Sequence, residues 1–138
     1  MVRSLRPRAR YLALALATIG LGLTVHWGGS ALPPAVRDVL GDALWAAMVA
    51  WWAGVAAPRA RPGAHSAGAL AACVAVELSQ LYHRPALDAL RRTRVGHLVL
   101  GADFDVRDLG AYALGVVAAA MLDRVLAGRR AEGGRPAR

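Results

Sequence analysis

The chain has 138 residues, 57% of them hydrophobic and 19% charged, and a net charge of +8. The apolar share exceeds the roughly 45–50% of a soluble domain and the charged share falls below roughly a quarter. A chain of this length cannot supply a core large enough to hide several helices that are apolar all round, and its one cysteine, Cys73, excludes an internal disulfide, a cysteine-rich zinc site and a CxxC redox pair.

Every basic side chain apart from histidine is arginine; Lys and Asn are absent, and Ile19 and Phe104 are alone of their kind. This is the signature of a GC-rich genome, so part of the positive charge is compositional. A basic balance suits nucleic acid or an anionic membrane surface, and the placement of the arginines decides between them.

Residues 1–10 read as a basic cytoplasmic tail with Arg3, Arg6, Arg8 and Arg10. A first helix is predicted over about 11–27, without an ionisable group except His26 and with Thr18 and Thr24 as its most polar residues. A basic start before an apolar run also fits a cleaved leader cut near Gly28–Ala31. Three further apolar segments make a retained helix the expectation.

Gly28-Gly29-Ser30 and Pro33-Pro34 break the chain. A second helix over about 42–57 carries Trp45, Trp51 and Trp52 and has no polar face. Pro58 and Pro62 bracket a turn with Arg59 and Arg61. A third helix over about 64–82 contains Cys73, read as a small buried hydrophobe, and then Glu77, Ser79 and Gln80.

The segment 83–107 is expected as an outer loop. Within it Ala86–Arg94 reads as a short amphipathic helix and Val95–Gly101 as an interfacial or re-entrant piece, tolerated at membrane depth when protein or water covers it. A fourth helix over about 108–126 follows, and 127–138 is expected to be a disordered basic tail.

Soluble surface helices carry a charged stripe opposite the apolar one; these do not. The prediction is an all-α integral membrane bundle of four transmembrane helices over residues 11–126. Arginines at both ends and in the second loop put both termini in the cytoplasm by the positive-inside rule. Arg84, Arg91, Arg92, Arg94 and Arg107 in the outer loop depart from that rule and are largely offset by Asp88, Asp103, Asp105 and Asp108. Arginines split between two membrane faces argue against nucleic acid.

Glu77 is the most informative residue, because an ionised carboxylate inside an apolar run costs on the order of 2–3 kcal/mol. Gln80 and Arg84 follow it on the same helical face. The predicted topology brings Asp42, Glu77 and Asp108 to a similar depth in the outer half of the membrane. Each has two readings: Asp42 and Asp105 as N-caps, Asp108 as the second member of a capping-box-like pair with Asp105, Glu77 with Gln80 as helix-tying hydrogen bonds, or all of them as parts of a site. His83 and His97 read as interfacial or loop residues rather than metal ligands, His26 and His65 carry no signal, and the tryptophans read as bilayer anchors or packing. No metal or other cofactor is expected.

These residues carry a resemblance. Arg10-Tyr11, Gly41-Asp42-Ala43-Leu44-Trp45-Ala46, Glu77-Leu78-Ser79-Gln80-Leu81-Tyr82, the run from Leu90 to Gly101, and Asp108-Leu109 with Tyr112 and Gly115 resemble a family of uncharacterised bacterial membrane proteins, domain of unknown function 2809. That family is itself similar to VanZ-like proteins, which are linked to glycopeptide resistance and usually have Asn where this chain has Tyr112. The resemblance implies a multi-pass protein of the bacterial inner membrane.

The candidate polar site is Asp42, Glu77, Gln80, Arg91, Arg94, Asp108 and Tyr112. An arginine cluster suits phosphate or carboxylate, so the leading expectation is an envelope accessory protein binding anionic lipid or precursor headgroups. An enzyme on a lipid-linked substrate, with Glu77 or Asp108 as acid or base, and a small transporter working as a homo-oligomer are the alternatives.

Overall fold

A computed structural model of the chain describes residues 2–28, 31–101 and 103–133, and side chains within 7–28, 31–61, 63–101 and 103–128. These residues form six helices: α1 (Val2–Gly28), α2 (Pro34–Ala56), α3 (Pro62–Ser79), α4 (Pro85–Arg91), α5 (Arg94–Leu100) and α6 (Val106–Gly133). No strand occurs among the described residues.

The long helices reach further than their apolar stretches suggest. Proline accounts for α2. Pro33 and Pro34 were expected to break the chain, yet Pro34 is the first helical residue, where its missing N–H would be unpaired in any case and its φ is already helical. The Pro33 carbonyl takes the amides of Val36 and Arg37 at 3.0 and 3.1 Å. The helix therefore starts eight residues before Asp42 and contains Arg37 and Asp38. Pro62 and Pro85 open α3 and α4 in the same way.

Arginine, leucine and alanine favour helix, so α1 extends back through the segment expected as a tail, and α6 continues to Gly133 through part of the segment expected to be disordered. The break at Gly29-Ser30 and the end of the chain, 134–138, lie outside the described residues. The outer loop is mostly helical. Its amphipathic turn is α4, one residue earlier than predicted at its start and three at its end, and its apolar piece is α5.

The helices α1, α2, α3 and α6 make one bundle in which α2 touches the other three and α3 also touches α6. They run alternately up and down. Tyr11 in the first half of α1 meets Trp51 and Gly54 near the end of α2, His65 near the start of α3 and Asp123 late in α6. At the other end, Asp42 of α2, Gln80 just past α3, Asp108 of α6 and His26 of α1 line a common cavity.

The packing is inverted relative to a soluble bundle. The core is made of small residues, with Ala15, Ala46 and Cys73 wholly buried, and of aromatic and polar side chains. Large apolar residues face outward: Leu16 is 56% exposed, Leu114 63% and Met121 60%. So much outward apolar surface is unfavourable in water and natural in lipid, where small residues let helix backbones approach closely. The clearest approach is at Gly115, where a Cβ would collide with the Ala43 carbonyl of α2.

Three helical stretches are long and apolar enough to cross a membrane: Pro7–Gly28, Pro34–Ala56 and Val106–Gly128. Four were expected. The difference is α3, which has 18 residues and carries His65, Ser66 and Glu77, polar groups that dilute its apolar character.

Candidate functional site

The polar end of the bundle is organised by Glu77. It is completely buried on the last turn of α3. Its Oε2 accepts the Tyr112 hydroxyl at 2.8 Å, and its Oε1 accepts the backbone amide of Asp105 at 2.7 Å. Asp105 is the residue before α6, and its own Oδ1 accepts the amide of Arg107 at 2.8 Å as an N-cap does. In a capping box the acid three residues into the helix returns to the cap amide. Here Glu77, from another helix, takes that place, which leaves the Asp108 carboxyl for other partners.

Asp108 lines the cavity together with Asp42, one helix away. Asp42 lies inside α2, not at its start, so it is not the N-cap that its position in the sequence suggested. Trp45, one turn on, packs against Tyr112 with ring centroids 5.5 Å apart.

Gln80 closes the α3 side of the cavity. It is 4% exposed, and its Nε2 donates to the Leu100 carbonyl at 2.9 Å, tying α3 to the end of α5. Gly101 follows with φ of 65°, and a Cβ there would strike the Gln80 amide, so the turn needs glycine both for its conformation and for its space. With its nitrogen committed, Gln80 Oε1 is left buried without a partner, as is the indole N–H of Trp45. The cavity measures about 420 Å³.

Arg91 and Arg94 part company. Arg91 is 4% exposed and turned into backbone: it donates to the Ser79 carbonyl at 2.5 Å, the Tyr82 carbonyl at 3.0 Å and Asp88 Oδ1 at 3.2 Å. It binds the end of α3 and the 80–84 turn to α4 and does not line the main cavity. Arg94 is exposed at the start of α5. Arg84 leaves the Glu77 face after α3 ends and bonds the Tyr82 hydroxyl at 2.7 Å. His97, expected in the loop, lines both the main cavity and a smaller one formed with Asp88, Arg91 and Arg92. Five of the seven candidate residues, Asp42, Glu77, Gln80, Asp108 and Tyr112, therefore gather at one place, Arg91 is a strut beside it, and Arg94 is exposed at the start of α5, outside the cavity lining.

A second polar cluster at the opposite end escaped the reading of the sequence. Asp123 is 6% exposed; it accepts Arg10 at 2.5 Å and the Tyr11 hydroxyl at 3.1 Å. His65 meets the edge of the Tyr11 ring, with centroids 5.5 Å apart, and bonds the Ala57 carbonyl at 2.8 Å. The signal was present. Asp123 follows Tyr112, Val116 and Ala119 at helical spacing on the buried face, and its neighbour Arg124 disguised it as the end of an apolar run.

Fold and site together define an all-helical protein, among the described residues, with three helices long and apolar enough to span a membrane and a polar cavity at one end of its bundle. The family model described as "Protein of unknown function (DUF2809)" matches residues 31–116. The chain belongs to that family. The matched region contains Asp42, the whole segment from α3 to α5, and the start of α6 up to Val116; it includes neither Arg10-Tyr11 nor Asp123. No solved structure matches the chain.

Proposed function

We propose that the chain crosses the bacterial inner membrane four times, with both termini in the cytoplasm, and serves as an envelope accessory protein that holds the headgroup of a lipid or lipid-linked precursor at the outer surface. The observation that carries this reading is the cavity at the shared end of four helices, preorganised by the buried Glu77–Tyr112–Asp105 bonds.

The fourth span is α3. Its 18 residues measure about 27 Å at 1.5 Å per residue, close to the roughly 30 Å of a bilayer core, and they run the full distance between the Tyr11 cluster and the cavity. Its polar residues face inward: His65 and Glu77 are buried, which removes the cost of exposing them to lipid. The exposed Arg59 and Arg61, between α2 and α3, supply the positive charge expected on the cytoplasmic side.

Exposed Arg92, which lines the smaller cavity that shares His97 with the main one, and exposed Arg94 at the start of α5 offer guanidinium groups to a phosphate. As an enzyme the site would work through Asp42 and Asp108, which line the cavity, rather than through Glu77, which does not. The test is native mass spectrometry of the protein released from mixed-lipid nanodiscs. Retention of phospholipid, weakened about tenfold in the Arg92→Ala, Arg94→Ala double variant, is expected. A protein released without lipid contradicts the reading.

A further inference from the structure

Acids outnumber arginines along the cavity, whose lining also carries the histidines His26 and His97. Asp38, Asp42, Asp103 and Asp108 line it against a single arginine, Arg37, which pairs loosely with Asp38 at 3.9 Å. Acids alone would not make a site. The independent observation is Gln80, 96% buried, whose Oε1 has no partner on the wall of this cavity. A buried unpaired amide oxygen costs about 1–3 kcal/mol, which a donor on a ligand removes.

Resting on the headgroup reading above, we propose that the cavity binds a primary ammonium group. An –NH₃⁺ has three N–H donors and no acceptor, and three acceptor-bearing side chains line this one cavity: Asp42, Asp108 and Gln80, whose Oε1 lies buried in the wall without a partner. The negative lining supplies the charge complement. The Trp45 and Tyr112 rings supply faces of the kind that attract cations. Trp45 Nε1–H is the one unpartnered donor among the described buried side chains of the lining.

The full chain in nanodiscs of phosphatidylethanolamine, phosphatidylcholine or phosphatidylglycerol tests this, with lipid retention read by native mass spectrometry. Retention of the ethanolamine lipid at least tenfold above the choline lipid is expected, since trimethylation removes all three donors while keeping the charge. That preference should disappear in Asp42→Asn and Asp108→Asn, with the unfolding temperature of each checked so that folding is not the cause. Competition by free ethanolamine would support the ammonium site and assign it to a soluble amine, whereas retention of the lipid without such competition would assign it to a headgroup. Equal retention of ethanolamine and choline lipids, or an undiminished preference in folded Asp42→Asn and Asp108→Asn, overturns the ammonium assignment while leaving headgroup binding in place. Loss of all lipid from the parent protein overturns both.

Discussion

The Tyr112 hydroxyl donates to Glu77 Oε2 at 2.8 Å between two side chains that are almost wholly buried. This bond joins α3 to α6 across the bundle, and the second bond, from the Asp105 amide to Oε1, fixes where α6 begins. Removing the hydroxyl strands one carboxylate oxygen. Tyr112→Phe should therefore lower stability by about 1–3 kcal/mol, read by denaturant unfolding in detergent. Glu77→Ala should cost more, since it strands both the hydroxyl and the amide. A Tyr112→Phe protein as stable as its parent contradicts this role.

Two glycines of α6 give opposite predictions. A Cβ on Gly115 meets the Ala43 backbone, which cannot move aside without separating α2 from α6, whereas a Cβ on Gly110 meets nothing within 4 Å. Gly115→Ala should destabilise by about 1–3 kcal/mol. Gly110→Ala should be neutral or stabilising by up to about 1 kcal/mol through helix propensity. Thermal unfolding of the two variants side by side checks the pair, and equal effects would contradict the close crossing.

The Arg10–Asp123 pair is 17% and 9% exposed at its two side chains, between the surface and buried cases. Surface pairs contribute up to about 1 kcal/mol, and breaking a buried one costs about 3–5. Asp123→Ala should fall between them, at about 2–3 kcal/mol. The double variant Arg10→Leu, Asp123→Leu should be less damaged than Asp123→Leu alone, because it leaves no buried charge alone. A double-mutant cycle measures this; strictly additive losses would mean that the two groups do not interact.

Arg91 is predicted to be structural. It gathers the Ser79 and Tyr82 carbonyls and Asp88, so Arg91→Ala should loosen residues 80–91 and raise hydrogen exchange there by at least tenfold. Arg94→Ala, at an exposed site, should leave exchange unchanged. Equal exchange in the two variants would remove the distinction.

Much of this arrangement was legible in the sequence, for physical reasons. Glu77 stood out because a charge in an apolar run must be compensated, and Asp42, Gln80, Asp108 and Tyr112 followed from helical spacing and from alternating helix direction. Other features were hidden because their causes lie between segments. Nothing local says that Glu77 caps α6 or that Arg91 turns inward to backbone carbonyls. Asp123 obeyed the rule that revealed Glu77 but was masked by Arg124. The start of α2 was misread because a proline pair signals a break and a helix start alike, and only the carbonyl of Pro33 receiving the amides of Val36 and Arg37 distinguishes them.

The proposed four-span topology has α3 carry the chain from the face holding Arg59 to the face holding Arg94. In a Cys73→Ala background, Arg59→Cys and Arg94→Cys can be probed with a membrane-impermeant maleimide. Labelling at position 94 in intact cells, and at position 59 only after permeabilisation, is the expected result. Labelling of both positions from the same side would show that α3 does not cross the bilayer.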